Sequence, residues 1–503
     1  MNNIYSVESQ DTETDVQRFY HGKSIFITGG TGFLGKVIME KLLRSCNVDT
    51  IYLLIRDKKG KDIHTRVEDI FEDVLYDRLR EKSPKFKHKV HAIAGDCSLP
   101  GLGISPHDRE MLVNSVNIVF HAAATVRFDE KLSIAMAINV SGTKEILGLC
   151  RDMKKLDSMV HVSTAYANCN RPDIDEKFYS YRLSADKVLK IYEEVDKETL
   201  EAVGKELSKG WPNTYTYTKA LAEDLIKTET KDLPAVIVRP AVVLPTAQEP
   251  ISGWTDNMYG PTGMMVGVGA GLIHVCYVHK DNNAELVPVD YCVNSILVSA
   301  YDRTVKKYEE TPIYNFVTTA NNKFRWRQYI DYAWQHGLKV PVLKSIWFTV
   351  CAITDSELWF CMLWFLYHTV PAFGMDLCLR LIGKRPKMMD IYRKIKKYSD
   401  VIYFFTHMKF TFTSHNTERL WRDLTDRDRA IFPFDMTTHD WDQYIKDTVM
   451  GTRQYLMKDS PSTIPAALKR QQRFKMLHYT VVYAIYAILA FLLLTLIMKI
   501  WSR

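Results

Sequence analysis

The sequence predicts an α/β protein with a Rossmann-type doubly wound parallel sheet, a smaller and mostly helical C-terminal domain, and a C-terminal transmembrane helix. Three observations lead to this prediction. Short apolar runs alternate with helical stretches from about Ser24 to Tyr291, a glycine-rich turn follows the first run, and an uncharged apolar segment lies near the end of the chain. Strands that alternate with helices are typical of parallel sheets built from βαβ units.

The length of the chain predicts more than one domain. Its 503 residues exceed the about 100–200 residues of an ordinary domain. We divide it into a polar N-terminal segment (1–20), a large cofactor-binding reductase domain (21–340), a helical C-terminal domain (341–460) and a membrane anchor (478–499). The polar, acidic N-terminus is not a secretory signal.

Composition and charge exclude several classes of protein. With 47% hydrophobic and 25% charged residues, the chain is ordinary for a globular protein, which excludes wholesale disorder. A net charge of +7 is mild for this length, and no basic run with interleaved aromatics indicates a nucleic-acid surface. The nine cysteines are scattered and form no CxxC pair, which argues against a disulfide framework or a zinc site. We therefore expect neither a nucleic acid nor a metal as a partner.

Six segments are predicted as strands of the sheet. Several are almost continuously hydrophobic, as parallel strands covered on both faces must be. They are SIFIT (24–28), TIYLLI (50–55), KVHAIA (89–94), NIVFHA (117–122), MVHVST (159–164) and AVIVRP (235–240).

The turn after the first strand has the pattern of a dinucleotide-binding loop. Gly29, Gly32 and Gly35 have the spacing GxxGxxG and open a helix. The first glycine permits a sharp turn, the second lets a pyrophosphate approach the backbone, and the third allows close helix–strand packing. Free N–H groups and the helix dipole then stabilise the phosphates. The residues predicted to hold the cofactor here are Gly29, Thr31, Gly32, Phe33, Leu34 and Gly35.

Residues after the second, third and fourth strands extend this site and favour NADPH. Arg56 ends the second strand, where an NAD enzyme would place an acidic residue for the ribose hydroxyl, and a guanidinium there favours the 2′-phosphate of NADP. Asp57 complicates this preference, because its carboxylate could reach the same ribose. Asp96 is placed to contact adenine, and Ala122 and Ala123 are small enough for the backbone to pass close to the cofactor. Further positive charge comes from Lys58, Lys59 and Lys61.

The predicted catalytic pair is Tyr215 and Lys219, which lie four residues apart and so share one face of a helix. Hydride transfer to a carbonyl carbon leaves negative charge on oxygen. Tyr215 can supply the proton, while Lys219 lowers the pKa of the phenol and binds the nicotinamide ribose. Thr164, with Ser163 beside it, supplies a hydroxyl that orients the substrate oxygen. Tyr217 points to another face of the helix and is interpreted as packing.

Two apolar segments in the second half of the chain bear on membrane association. Tyr479–Met498 has no charged residue, and about 20 apolar residues suffice to span a bilayer. More positive charge precedes this segment than follows it, so we expect the catalytic bulk in the cytosol, on the endoplasmic reticulum first and the peroxisome second. The apolar run Ser345–Ile382 is compatible with helical core, a wall around a lipid substrate, or a segment dipping into a membrane. Charges and Pro371 within it disfavour a spanning helix.

Several sequence blocks together resemble the fatty acyl-CoA reductase family, within the extended short-chain dehydrogenases/reductases. The resemblance covers roughly residues 20–460. It rests on the blocks TGGTGFLGKV, HAAATVRFDE, INVSGT, HVSTAYAN, PNTYTYTKALAE, GWTDNMYGPTG, VPVDYCVN and RPKMMDIYRKI. The chain departs from the family pattern at Asp57, where a proline is common, and at Ala241, where a serine is frequent.

The resemblance implies NADPH-dependent reduction of a long-chain fatty acyl-CoA to a primary alcohol and free CoA, by two hydride transfers through an aldehyde. It carries the roles given above onto the glycine loop, Thr164, Tyr215 and Lys219. It also implies that Asn139, in INVSGT, positions the lysine through water. The predicted membrane anchor adds membrane lipid as a further partner.

Two other interpretations remain open from the sequence. The first is another membrane-attached member of the superfamily, such as a sterol dehydrogenase or nucleotide-sugar epimerase. That class would not account for the second helical domain or the GWTDN block. The second is a non-catalytic, membrane-bound NADP sensor, against which the intact Tyr215, Lys219 and glycine loop argue.

Overall fold

The computed structural model describes residues 13–57 and 60–501. Lys58 and Lys59, which the sequence analysis assigned to the cofactor site, lie outside the described residues, as does most of the polar N-terminal segment. The chain forms two compact units. The first contains the residues up to Ser252, Glu285–Phe324 and Met408–His439, and the second contains Gly253–Ala284, Arg325–His407 and the residues from Asp440 onward.

The strands are short and most belong to the first unit. They are β1 (Ser24–Thr28), β2 (Thr50–Ile55), β3 (Val90–Ala94), β4 (Ile118–His121), β5 (Ser158–Val162), β6 (Asp173–Ile174), β7 (Ala235–Pro240), β8 (Val242–Leu244), β9 (Val275–Tyr277), β10 (Leu286–Pro288), β11 (Ile313–Phe316), β12 (Ala352–Thr354) and β13 (Thr411–Phe412).

The helices of the first half of the chain alternate with these strands. They are α1 (Asp15–Tyr20), α2 (Phe33–Ser45), α3 (Ile63–Phe71), α4 (Asp77–Lys82), α5 (Pro106–Ser115), α6 (Leu132–Ala135), α7 (Gly142–Asp152), α8 (Ala185–Glu194), α9 (Lys197–Leu207) and α10 (Thr214–Glu229). The later helices are α11 (Pro261–Gly269), α12 (Val289–Val305), α13 (Trp326–Lys339), α14 (Glu357–Trp364), α15 (Val370–Leu381), α16 (Met388–His407), α17 (His415–Arg422), α18 (Asp426–Ile431), α19 (Trp441–Gly451) and α20 (Ile464–Trp501).

The centre of the first unit is a seven-stranded parallel sheet in the order β11-β7-β5-β4-β1-β2-β3. Strands β1, β4, β5 and β7 are buried along their whole length, because apolar side chains point to both faces of a covered parallel sheet. The strand order reverses between β1 and β4. Ligands bind at such a reversal in doubly wound sheets. The Rossmann-type prediction is therefore confirmed.

All six predicted strands are present, and β1, β2 and β7 begin and end at the predicted residues. The seventh strand, β11, was not predicted from the sequence. It has only four residues, IYNF, and its central Asn315 interrupts the apolar run. The Nδ2 of Asn315 has a long-range partner, since it donates to the carbonyl oxygen of Thr413 at 2.8 Å. A contact between residues so distant in sequence is invisible to local pattern analysis.

The second unit is mostly helical. Helices α13 and α19 pack against each other, and β9 pairs with β12 in a two-stranded parallel ladder. A π-helical turn, Phe365–Thr369, joins α14 to α15. By length and composition alone, two helical stretches could cross a membrane, Glu357–Leu381 and Pro461–Trp501. The core helix of a soluble protein also meets that criterion, but no described residue in the apolar stretch of the second is buried.

Candidate active site

Two glycines of the loop after β1 are required by close backbone packing. Gly29 has φ +75°, and a Cβ added there would lie 2.7 Å from the carbonyl carbon of Ala122. A Cβ on Gly35 would lie 2.2 Å from the carbonyl oxygen of Gly29. Both distances are far below van der Waals contact, so these glycines hold α2 and the β4 loop against the turn.

Gly32 differs from its two neighbours because it is exposed. It is the N-cap of α2 with an extended backbone, φ −86°. A Cβ on Gly32 would meet only one described atom outside its immediate surroundings, the carbonyl oxygen of Gly29 at 3.2 Å. Thr31, Phe33 and Leu34 beside it are partly exposed. The bare backbone at the start of a helix fits the pyrophosphate of a dinucleotide, because the positive end of the helix dipole stabilises its charge.

His121, a buried histidine that was not predicted from the sequence, contacts the residue that precedes this loop. His121 Nδ1 lies 2.7 Å from Thr28 Oγ1, and its Nε2 lies 3.1 Å from Thr143 Oγ1. The N–H of Ala123 donates to the same Thr28 hydroxyl at 3.3 Å. Burial, and to a smaller extent the charge of Lys219, lowers the pKa of His121 to about 3, so the ring is neutral at physiological pH. It therefore acts as a fixed link between β1, β4 and α7.

Arg56 and Asp96 lie together at the carboxyl ends of β2 and β3. The Arg56 Nη1 is 3.8 Å from Asp96 Oδ2, and the Arg56 side chain is 65% exposed. Arg66 on α3 donates to the carbonyl oxygen of Arg56, which brings a second guanidinium to this corner. Lys61 is instead paired with Asp69. The corner can therefore receive an anion, and Arg66 is a candidate contact that had no motif in the sequence.

Tyr215 lies in the first turn of α10, with its side chain beside Thr164. The turn is capped by Asn213, whose Oδ1 accepts from the N–H of Thr216 at 2.9 Å. Burial raises the pKa of Tyr215 to about 12, and a side-chain hydrogen bond with Thr164 lowers it in part. The ring of Phe128 stacks on the Tyr215 ring with centroids 5.8 Å apart. Two hydroxyls within hydrogen-bond reach of each other can both contact one carbonyl oxygen.

Lys219 lies one turn further along α10 and is 2% exposed. Its Nζ donates to the carbonyl oxygen of Val162, the last residue of β5, at 2.7 Å. Burial lowers the pKa of Lys219 to about 8, while the charges of Glu223 and Cys97 raise it. Near neutral pH the lysine is mostly charged, and it is placed one helical turn from Tyr215.

Ser163 is turned toward a buried ion pair. Its hydroxyl donates to Glu223 Oε1 at 2.5 Å. Glu223 is also bound in two places by Arg239, through Nε at 2.8 Å and Nη2 at 2.6 Å. Both partners are at most 1% exposed. The structure thus brings Thr164 to Tyr215 and directs the Ser163 hydroxyl to the network that joins α10 to β7.

Asn139 contacts the same helix from a π-helical turn, Met136–Ser141. Its Oδ1 accepts from the N–H of Thr125 at 2.9 Å, and its Nδ2 donates to Thr218 Oγ1 at 2.9 Å. Asn139 therefore contacts the residue before Lys219 and fixes the loop after β4. Its role in positioning the lysine stays a prediction.

Two family models match the chain. Residues 27–296 match an NAD-binding model described as male sterility protein, and residues 367–459 match a second model, named Sterile, with the same description. The chain is 47% identical over 485 residues to a protein named fatty acyl-CoA reductase wat from Drosophila melanogaster, covering 96% of this chain and 94% of that protein. It is 37% identical over 466 residues to fatty acyl-CoA reductase 1 of Rattus norvegicus, covering 92% and 90%.

Solved structures share the fold at low sequence identity. The reductase domain of a nonribosomal peptide synthetase from Mycobacterium tuberculosis superposes with a TM-score of 0.58 at 20% identity, covering 88% of this chain and 95% of that one. The terminal reductase domain of the myxalamid pathway superposes with a TM-score of 0.54 at 18% identity, covering 86% and 90%. Identities this low establish the likeness of the fold alone.

Proposed function

The chain belongs to the fatty acyl-CoA reductase family, and on that premise we propose that it reduces long-chain fatty acyl-CoA to the primary alcohol with release of CoA, using NADPH. The observation that carries this proposal is the buried Lys219, whose Nζ donates to the carbonyl oxygen of Val162, one helical turn after Tyr215, whose pKa the Thr164 side chain lowers in part. Two hydroxyls beside an ammonium form a site for a carbonyl oxygen that gains negative charge.

The residues of the site account for the proton that each reduction requires. NADPH supplies the hydride for both reductions. In the first, Thr164 orients the thioester oxygen and Tyr215 donates a proton to it, which gives a thiohemiacetal. Collapse of that group breaks the C–S bond, releases CoA as the thiol and leaves an aldehyde. The second reduction uses the same proton donor on the aldehyde oxygen, and the Lys219 ammonium stabilises the phenolate that forms each time.

The corner formed by Arg56 and Asp96 supports NADPH over NADH. A guanidinium at the end of β2 favours a 2′-phosphate through a charge-assisted, bidentate contact. The carboxylate of Asp96, 3.8 Å from that guanidinium, holds it at the corner without occupying all of its donors. Arg66, tied to the backbone of Arg56, adds positive charge.

We further propose that α20 anchors the protein in a membrane with its catalytic part in the cytosol. Helix α20 contains 38 residues, and no described residue of its apolar stretch is buried. The apolar run Tyr479–Met498 has about 20 residues, which as a helix match the hydrocarbon thickness of a bilayer. The endoplasmic reticulum is the first candidate and the peroxisome the second. Membrane lipid is then a partner, and the anchor keeps the enzyme where its substrate and product partition.

The proposed reaction is tested with the full-length protein in detergent or vesicles, a long-chain acyl-CoA, and either NADPH or NADH. We expect one fatty alcohol and one free CoA for every two NADPH oxidised, by mass spectrometry and thiol titration. Accumulation of aldehyde at one NADPH per CoA would contradict the second reduction. Equal turnover with NADH would contradict the cofactor assignment, and turnover of a sterol or sugar nucleotide without CoA release would contradict the substrate class.

A further inference from the structure

The segment Glu357–Leu381, here called the apolar helix, presents hydrophobic side chains to the outside. It comprises α14, the π-helical turn and α15. Six of its large apolar side chains are more than half exposed: Leu358, Trp359, Phe365, Leu366, Phe373 and Leu381. From Leu358 to Leu379, Asp376 is the only Asp, Glu, Lys or Arg. A contiguous apolar surface of this kind marks an interaction site.

The buried face of the apolar helix carries two ionisable groups, His368 and Asp376, whereas most of its large exposed side chains are apolar. The buried residues recur every four positions, at Phe360, Trp364, His368, Ala372 and Asp376, and so form one narrow stripe. In a helix that faces water, the polar groups lie outside and the apolar groups inside. Here the outer faces are apolar, which fits contact with a medium less polar than water.

Both ionisable side chains of the stripe have partners inside the unit. His368 Nε2 accepts from the N–H of His274 at 2.9 Å. The Asp376 carboxylate accepts from the N–H groups of Lys387 and Met388 at 2.9 Å and of Met389 at 3.0 Å, which caps the start of α16. These hydrogen bonds attach the buried stripe to the rest of the second unit, and the apolar helix lies on the surface of that unit.

Aromatic contacts hold the stripe to two neighbouring elements. The Phe360 ring stacks on Tyr277 of β9 with centroids 5.0 Å apart. The Trp364 ring meets Tyr392 of α16 edge-on at 6.4 Å. A helix that spans a bilayer alone would have lipid on all sides. This helix has protein along one side, so it fits a position parallel to a membrane surface better than one across it.

Exposed cations follow the apolar helix directly. They are Lys384, Arg385, Lys387, Arg393, Lys394 and Lys397. Of these, Arg393 is paired with Asp390 at 2.8 Å. Basic residues beside an apolar helix face are typical of segments that bind the anionic surface of a membrane, where the side chains contact lipid headgroups. The charge of the surface thus matches an anionic leaflet.

The segment that leads into the apolar helix contacts α20 at the start of its apolar run. Trp347 Nε1 donates to His478 Nδ1 at 3.2 Å, and the Phe348 ring lies 6.3 Å from the Tyr479 ring. All of these residues belong to the second unit. The apolar run of α20 therefore begins beside the segment that precedes the apolar helix. The two apolar segments start close together and can insert into the same bilayer.

We propose that the apolar helix is embedded in the plane of the membrane, with its outer face among the lipid acyl chains of the near leaflet and the following cations among anionic headgroups. This inference rests on the proposed membrane anchoring by α20 and extends it from one contact to two. The occupant of the exposed face is the bilayer. The experiments below distinguish the bilayer from two other occupants of this face, a second copy of the chain and free solvent.

Two natural cysteines make the test direct, because Cys361 and Cys378 are both exposed on the apolar helix. The full-length protein is reconstituted into phosphatidylcholine vesicles containing phosphatidylserine. It is then treated with either a charged, membrane-impermeant maleimide or an uncharged apolar one, and labelling is read by peptide mass spectrometry. Lys205→Cys, on the exposed surface of α9, provides the control thiol.

We expect the charged reagent to label Lys205→Cys at least about tenfold faster than Cys361 or Cys378, while the apolar reagent labels all three, because lipid excludes charged solutes. Labelling of Cys361 and Cys378 by the charged reagent at the control rate would overturn the proposal. Protection from both reagents, lost on dilution of the protein in detergent, would show a second copy on this face and would also overturn it.

Depth measurements distinguish an in-plane helix from a spanning one. Nitroxide labels on Cys361 and Cys378 should report similar depths by oxygen and nickel-chelate accessibility. In a spanning helix, the two positions would differ by about 25 Å along the membrane normal, from a rise of about 1.5 Å per residue. A difference of that size would overturn the in-plane arrangement.

The cationic part of the proposal has its own variant. Lys384→Glu with Arg385→Glu should abolish the extra protection of Cys378 that phosphatidylserine gives, whereas Lys187→Glu with Lys190→Glu on α8 should retain it. Retention in the first variant would exclude the headgroup contact. Acyl-CoA reduction and resistance to alkaline carbonate extraction are measured on the same vesicles, so a failure of the reaction or of the α20 anchor is seen separately.

Discussion

The Nζ of Lys219 donates a 2.7 Å hydrogen bond to the carbonyl oxygen of Val162, where β5 ends. This contact fixes the lysine of α10 to the strand that carries Thr164, two residues later. The spacing of Tyr215, Lys219, Thr164 and the glycine loop is therefore set by one helix and by strands β5 and β1, between which β4 lies in the sheet. Each of the following predictions changes one of these groups or its partners.

Loss of the proton from Lys219 should cause the fall of kcat/KM at alkaline pH. Its pKa is lowered to about 8 by burial, so the charged fraction falls as the pH rises through about 8. If the ammonium binds the ribose and stabilises the Tyr215 phenolate, kcat/KM for NADPH should fall above that pH, because this constant reports groups of the free enzyme. Unfolding midpoints over the same range provide the control. A flat profile to well above pH 8 would contradict the role of the lysine.

Replacement of the proposed proton donor should lower the rate of reduction with little effect on folding. Tyr215→Phe should reduce kcat by about 10²–10⁴-fold, the usual contribution of a positioned acid. Tyr217→Phe is the matched control, since Tyr217 is buried against Trp211 on another face of α10. The rate of alcohol formation is measured by mass spectrometry. An unchanged rate in Tyr215→Phe would exclude Tyr215 as the proton donor.

Thr164 and Ser163 should respond differently although they are adjacent. Thr164→Ala should lower kcat by about 10²-fold, as the loss of one donor to a developing oxyanion does, and Thr164→Ser should restore much of it. Ser163→Ala should change kcat by only a few fold, and should lower the free energy of unfolding by about 1–2 kcal/mol because Glu223 loses one partner. Steady-state kinetics and denaturant unfolding measure both. A larger loss of kcat for Ser163→Ala would place Ser163 in the catalytic step.

Substitution of two glycines of the loop should have different effects, one on cofactor binding and the other on thermal stability. Gly32→Ala should leave the Tm nearly unchanged, because its Cβ meets only the Gly29 oxygen at 3.2 Å, yet it should weaken NADPH binding by blocking the phosphate. Gly35→Ala should lower the Tm, because its Cβ would lie 2.2 Å from the same oxygen. Thermal unfolding and cofactor fluorescence titration test the pair. Normal NADPH affinity in Gly32→Ala would argue against a pyrophosphate at this turn.

Arg56→Ala should raise the KM for NADPH much more than that for NADH, since only NADPH has the 2′-phosphate. Loss of a charge-assisted contact of about 1.5–3 kcal/mol corresponds to roughly 10–100-fold in affinity. Lys61→Ala is the control, because Lys61 is already paired with Asp69. Equal effects of Arg56→Ala on the two cofactors would remove the basis for NADPH preference.

Local patterns in the sequence predicted the sheet and the family because both depend on continuous or closely spaced residues. The relatives confirm the family, and β1 and β7 were placed to the residue. The direction of the Ser163 hydroxyl was not predictable, since it depends on Glu223 and Arg239, which come 60 and more residues later.

The His121 contacts with Thr28 and Thr143 likewise join three separate elements, and no motif marks them. For the apolar run that includes Glu357–Leu381, composition left several interpretations open, because composition does not show which side of a helix is buried. The division of function between residues 21–340 and 341–460 stays a prediction.

The interleaved course of the chain has a consequence for its biosynthesis. The first unit needs residues 408–439, since β13 pairs with β6 and Asp428 Oδ1 accepts from the N–H of Val16 at 3.1 Å. Translation proceeds at about 5–20 residues per second, so a ribosome that has passed Ser252 needs about 10–40 s more to reach His439. Throughout that interval β6 has no strand to pair with, so the first unit completes its contacts only after residues 408–439 have been synthesised.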